Sequence, residues 1–207
     1  MRERHIIVGM TGASGAAYGL RLIQKLLAAD CSVHLLLSDA ARVVLKQECD
    51  LTLPEDQSET VRALGDFLAC DISKLRSYAK HDWFSPAASG SSGMGQMVIA
   101  PCSMGTLASI ANGMSDQLME RAADVMIKER KPLILMPRET PLSAIHLEHM
   151  LKLARLGVAI IPAMPGFYHR PTSMDELIDF MVDRLLDHLK VEQKEIKRWG
   201  MPPSVEA

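Results

Sequence analysis

Cationic and hydroxyl side chains recur where apolar runs of this sequence end, and the chemistry they share is the handling of phosphate. Arg138-Glu139 directly follows the apolar run at 132–137. An arginine placed there can grip a phosphate with its two-pronged guanidinium; a salt bridge at a sheet edge is the competing use. Ser103 and Thr106 follow the run at 97–101, where a helix is starting. Their hydroxyls would hold a phosphate or the edge of a cofactor ring, or would cap the helix, a position both residue types favour. Arg121 and Lys128 are spaced to share a helix face with Asp124, which taken alone describes a solvated charged stripe. Arg184, among Met181, Leu185 and Leu186, would serve equally as a surface charge. Glu48 ends a helix, where a negative charge opposes the dipole, and that misplacement favours a functional role. Tyr168-His169-Arg170 follows Pro165-Gly166, a mixture of stiff and free backbone suited to a binding loop. His146 and His149 flank Leu147-Glu148 and do not form H-E-x-x-H; they read as an exposed helix face. Nor does Gly12-Ala13-Ser14-Gly15 have the spacing of a nucleophile elbow. Several cations and hydroxyls, few bases and no metal cage fit a phosphate-bearing cofactor, with a second phosphate beside it.

These residues need a scaffold that brings distant segments together. The stretch that organises it is 6–19, IIVGMTGASGAAYG. It reads as a strand buried on both faces that breaks into glycines and restarts as a helix near Ser14. The spacing G-x-x-G-x-x-G is neither the dinucleotide fingerprint nor the nucleoside triphosphate loop. It argues mildly against NAD and firmly against ATP. Either the helix start offers its N–H groups to a phosphate, or the glycines serve a tight packing turn. Further strands are expected at 32–38, ending on Ser38, and at 97–101, 132–137 and 158–161. Helices are expected at 15–28, 39–47, 107–112, 117–130 and 142–156, and from a capping box at Ser173–Glu176 to about 189. Segments 61–69 and 73–79 read as helical or partly so, and 85–95 as a Gly/Ser-rich loop. Alternating strands and helices predict an α/β fold, a doubly wound parallel sheet in three layers. Ligands in such sheets bind beyond the carboxyl ends of the strands. There Gly12–Ser14, Ser38, Cys102–Thr106, Arg138–Thr140 and Pro165–Arg170 would meet.

The totals set the bounds. At 207 residues, 48% of them hydrophobic, the chain can build one full core. A net charge of −2 gives no nucleic-acid surface. No apolar run is long enough for a membrane span and no signal-peptide pattern opens the chain, so a cytoplasmic location is expected. Cysteines 31, 49, 70 and 102 form no C-x-x-C pair and are expected as free thiols rather than zinc ligands. Fourteen methionines would fill irregular core gaps or soften subunit contacts.

On these motifs the chain closely resembles the UbiX-type flavin prenyltransferases. The matching pieces are Gly12-Ala13-Ser14-Gly15-Ala16, Pro101-Cys102-Ser103-x-x-Thr106-Leu107, Arg121-Ala122-Ala123-Asp124-Val125, Lys128-Glu129-Arg130, Arg138-Glu139-Thr140-Pro141-Leu142 and Phe167-Tyr168-His169-Arg170-Pro171. They span residues 9 to about 189; the stretch 52–80 carries little of the match. The resemblance implies a flavodoxin-like Rossmann fold over 1–189 and a C-terminal tail, 190–207, packing on a neighbouring subunit. It implies metal-independent transfer of a dimethylallyl group from dimethylallyl phosphate to N5 and C6 of reduced FMN. The product, prenylated FMN, is the cofactor of UbiD-type decarboxylases, some of them in ubiquinone synthesis. A dodecamer with sites at subunit junctions is implied as well. By position, Gly12, Ala13, Ser14, Ser38, Ser103, Met104, Gly105, Thr106 and Arg138 would bind FMN, with Arg121 near the flavin or a junction. Lys128, Arg138, Tyr168 and Arg184 would hold the substrate phosphate. Ser14 would sit near flavin N5, while Glu48 and Glu139 would handle protons or steady charge; Trp83 and Trp199 would wall the prenyl pocket. Lys128 and Ser14 thus count with the two glutamates as catalytic. Rival readings are a flavin-dependent decarboxylase of the phosphopantothenoylcysteine type, direct decarboxylation of an aromatic acid, and an FMN carrier. The first relies on a histidine, for which His81 is a poorly placed equivalent, and on a P-A-S-A-N-T-like segment; here 101–106 reads PCSMGT and lacks the asparagine.

Overall fold

The computed structural model describes residues 3–193. Its centre is β1 (His5–Met10), whose residues from Ile6 onward are all buried. β2 (Ser32–Leu37) is buried along its whole length. β4 (Gln96–Cys102) and β5 (Leu133–Pro137) are buried almost throughout. β3 (Leu75–Tyr78) and the two-residue β6 (Ala159–Ile160) form the edges. The order is β3-β2-β1-β4-β5-β6, and every pairing is parallel. The topological switch point therefore lies between β1 and β4. Strands that run continuously apolar require cover on both faces. One face carries α1 (Ala16–Ala28), α2 (Asp39–Cys49), α3 (Gln57–Leu68) and α7 (Met174–His188) around Leu22, Leu45, Leu64 and Leu185. The other carries α4 (Met104–Ala111), α5 (Leu118–Lys128) and α6 (Ala144–Arg155) around Leu107, Ala122, Met126 and Leu153.

The segment 73–79, expected to be helical, is instead β3. Leu75 is buried opposite Val33 while Arg76 faces solvent. Four residues are too few for a period of two to stand out, and pairing with β2 overrides local propensity. At 85–95 the loop holds two short 3₁₀ turns, Pro86–Ala88 and Gly90–Ser92. Helix α4 starts three residues earlier than its apolar pattern suggested, because Ser103 caps it. The box expected at Ser173 is half formed: Ser173 Oγ accepts from Glu176 N, but the Glu176 carboxylate turns to Thr172. A reciprocal box closes at Ser143 and His146 instead. Of the C-terminal tail, residues 194–207 lie outside the described residues, and Trp199 with them.

The glycines of the first turn divide by role. Gly15 has φ +109, a left-handed backbone that L side chains rarely adopt. Gly19 lets α1 lie against the sheet: a methyl there would fall 2.5 Å from the Ala100 carbonyl oxygen and 2.6 Å from Met10 Cε. Gly12 gives room to the Ala40 methyl of α2. Gly19→Ala should therefore destabilise the fold by about 1–3 kcal/mol, although alanine is the better helix former. The urea midpoint reads this directly; an unchanged or raised midpoint would show that the contact yields.

Candidate functional site

The loops beyond the carboxyl ends of the strands are tied into one edge. The buried Thr11 hydroxyl donates to the Pro101 carbonyl (2.8 Å) and accepts from Ser103 N (2.7 Å), locking the turn after β1 to the turn after β4. Ser38 N donates to Met10 O (3.1 Å) and Arg138 N to Cys102 O (3.4 Å), adding the ends of β2 and β5. Thr11 went unnoticed as a site residue; its one signal is a polar side chain at the end of a buried apolar run.

Around this edge the structure brings Ser14, Glu48 and Arg138 together. Glu48 Oε2 accepts from Gly15 N and Ala16 N, at 2.9 Å each. The Ser14 hydroxyl also bonds this carboxylate. Arg138 Nε donates to the Ser14 carbonyl (3.3 Å). Glu48 opposes the dipole of its own helix but complements the N-terminus of α1. Burial pushes its carboxyl up; the Ser14 hydroxyl, the two amides and the Arg138 charge outweigh that and hold it below the ordinary range. Of the two readings of the start of α1, phosphate seat or packing turn, the first meets a carboxylate of the chain itself already bonded to the amides.

The start of α4 is the better seat. Ser103 Oγ accepts from Thr106 N (3.3 Å) and donates to Thr106 Oγ1 (3.1 Å). The amides of Met104 and Gly105 belong to the first turn, which has no intrahelical acceptors, and nothing lies within 4 Å of the place a Gly105 side chain would take. Amide donors, a helix dipole, a neighbouring pair of hydroxyls and the open space at Gly105 fit the phosphate of a mononucleotide. Met104 presents only its backbone at this helix start, since its side chain is buried in the core. Ser38 caps α2, accepting from Ala41 N at 3.1 Å. Glu139 is exposed and accepts from Thr140 N (3.2 Å). The buried Cys102 thiol is pushed up to about 12 by desolvation, so it offers no thiolate near neutral pH. Among the described residues, no group of three or more His, Cys, Asp or Glu could hold a metal ion.

Other candidate residues stand apart from this cluster within one chain. Lys128 ends α5, just before β5, and pairs with Glu129 at 2.5 Å. The five residues of β5, spanning about 16 Å at about 3.3 Å per residue, separate that end of the sheet from Arg138. Arg121, farther back on α5, bonds Asp124 (2.9 Å) and the Ala88 carbonyl (3.1 Å). Arg184 lies in the later part of α7, pairs with Asp187 (3.6 Å) and is mostly exposed. That helix ends beside the start of β1, since Arg4 donates to the Leu189 and Lys190 carbonyls. Tyr168, 54% exposed, is on the loop between β6 and α7, on the site's edge of the sheet. Trp83 is exposed in the loop after β3, its ring 5.9 Å from that of His81.

A doubly wound parallel sheet with a phosphate seat at its switch point defines a nucleotide- or flavin-binding protein. The flavoprotein family model matches residues 1–186. More particularly, the chain belongs to the UbiX flavin prenyltransferase family. It is 49% identical to the flavin prenyltransferase UbiX of Pseudomonas aeruginosa over 195 residues, covering 94% of this chain and 93% of that one. A crystal structure of AnUbiX (PadA1) in complex with FMN and dimethylallyl pyrophosphate superposes with a TM-score of 0.85 at 40% identity, covering 97% of this chain and 99% of that one. A dodecameric FMN-dependent UbiX-like decarboxylase from Escherichia coli O157:H7 does so at 0.82 and 39%, covering 95% and 100%.

Proposed function

We propose that this protein transfers a dimethylallyl group from dimethylallyl phosphate to N5 and C6 of reduced FMN, making the prenylated cofactor used by UbiD-type decarboxylases. The observation that carries this reading is 49% identity to a flavin prenyltransferase over 94% of this chain, and the site geometry agrees with it. Reduced FMN supplies the nucleophilic ring atoms. The first turn of α4, with Ser103, Met104, Gly105 and Thr106, holds its phosphate, and Gly12, Ala13, Ser14, Ser38 and Arg138 line its remaining length. Breaking the allylic C–O bond leaves a phosphate anion and an allylic cation. Lys128, Arg138, Tyr168 and Arg184 stabilise the anion, the work a metal ion does in many prenyl transfers. Glu48, held ionised beside the Ser14 hydroxyl, accepts a proton at the reacting edge. Glu139 steadies the developing positive charge from the end of β5.

This assignment has a structural corollary. Lys128 and Arg138 lie at opposite ends of β5 in one chain, so one site takes Lys128 from a neighbouring copy, with Arg121 near the junction. A homo-oligomer, by likeness to the dodecameric relative, is the working form. The tail does not leave its own chain at 190, as the resemblance implied it would: Val191 joins the main core and Gln193 Nε2 donates to the Asp183 carbonyl (3.0 Å), while Trp83 walls the prenyl pocket. No helix among the described residues is long and apolar enough to cross a membrane, and the protein works in the cytoplasm.

The test is anaerobic incubation of the purified protein with reduced FMN and dimethylallyl phosphate, followed by mass spectrometry of the extracted flavin. A protein-dependent gain of one C5 unit is expected. Unmodified FMN beside a working control enzyme would return the reading to a decarboxylase or an FMN carrier.

A further inference from the structure

His169 sits between Tyr168 and Phe180. Its ring stacks on Phe180 with centroids 4.9 Å apart and planes 3° from parallel, and Tyr168 meets it edge-on at 5.8 Å. Phe180 is itself packed against the main core. Both ring nitrogens of His169 are inaccessible to solvent and have no hydrogen-bond partner among the described residues. An imidazole always carries at least one N–H, and leaving such a donor buried and unpaired is costly. The stack fixes the ring by its face, so only the edge, where the nitrogens lie, is left to be satisfied. The loop that carries it is tied at its two ends, by Ala163 N to Pro137 O (3.0 Å) and by Thr172 to Glu176. Between them the backbone bonds Met164 N to Pro162 O and Arg170 N to Phe167 O close only local turns, and the segment is held to α7 through its rings, since Tyr168 also meets Phe180 edge-on at 5.6 Å.

The geometry points to His169 as a further ligand of the substrate's phosphate: its ring N–H donates to a phosphate oxygen when the loop settles on the anion beside Tyr168. This rests on the prenyl-transfer reading, because the phosphate is the acceptor that the substrate brings to this loop. A donor at this place reads the leaving group and not the flavin, so its loss separates the two substrates.

His169→Phe keeps an aromatic ring on Phe180 and removes the nitrogens; His169→Asn restores an N–H without the ring. The phenylalanine variant is expected to raise KM for dimethylallyl phosphate about 10- to 100-fold, as losing a bond to a charged group does. Its kcat should stay within a few-fold and its FMN affinity should not change. The asparagine variant should recover part of the KM. A phenylalanine variant with wild-type KM would overturn the assignment. So would equal losses in both variants with a matching fall in Tm, which would make the ring a structural seat only. Should His169→Phe not fold, His169→Leu removes the same donor and is read in the same way. Wild-type protein run alongside separates the failures: if it adds no C5 unit to FMN, the parent reading falls rather than the role of His169.

Discussion

Lys128→Ala should lower kcat/KM for dimethylallyl phosphate by about 10²- to 10³-fold, the usual effect of removing one preorganised group that stabilises developing negative charge. FMN affinity should be unchanged, because Lys128 is assigned to the leaving phosphate and lies far from the α4 seat. The fold should be nearly indifferent. Lys128 is exposed and its ion partner, Glu129, is its own neighbour on the surface; such pairs contribute about 0–1 kcal/mol. Arg184→Ala should behave in the same way, since its partner Asp187 is one turn away on the same helix. Loss of bound flavin in either variant would overturn the assignment. The position of Lys128 also allows a sharper experiment. Neither Lys128→Ala nor Arg138→Ala copies have a complete site by themselves. Random mixing of the two in one oligomer should restore about a quarter of the sites, since half of the copies contribute each intact residue. Activity that does not rise on mixing would place both residues in the site of a single chain.

Glu48→Gln should lower kcat by about 10²- to 10⁴-fold, the range for loss of a positioned acid or base, with little change in KM. Glutamine can still accept the amides of Gly15 and Ala16, so the α1 cap and the turn geometry survive. What is lost is the charge. The same variant makes a signed prediction about stability. The folded protein holds this carboxyl below its ordinary range, so its ionisation stabilises the fold above the unfolded value of about 4.3. That contribution disappears as pH falls through the lowered folded value. Glu48→Gln should therefore be less stable than wild type at pH 7, by about 0.3–1 kcal/mol for a largely exposed charge at a helix N-terminus. The gap should close on acidification. Thermal unfolding at pH 7 and below pH 4 measures it; a gap that widened toward acid would mean that the carboxyl is raised in the folded state.

How much of this was legible beforehand follows from the range of the interactions involved. Five strands and most helices were readable in the sequence, since buried parallel strands are continuously apolar and amphipathic helices repeat at short range. Edge strand β3 was not, because four residues hold no clear period and its backbone partners lie in β2, some forty residues away. The motifs identified by resemblance named the candidate site residues, because motif chemistry is local. Sequence alone therefore determined the parallel α/β class, the sheet edge at which the candidate residues gather, and the family. Tertiary structure alone decided which helix start is free. Glu48 looked misplaced on its own helix, and only the packing of α2 beside α1 brings it to the amides of Gly15 and Ala16. The same holds for the distance between Lys128 and Arg138, ten residues apart in the chain and joined through the length of β5. It holds too for His169, whose ring α7 seats on Phe180 while both its nitrogens stay buried and unpaired among the described residues. These are contacts between elements, and a linear chain carries no local signal of what another element will bring against it.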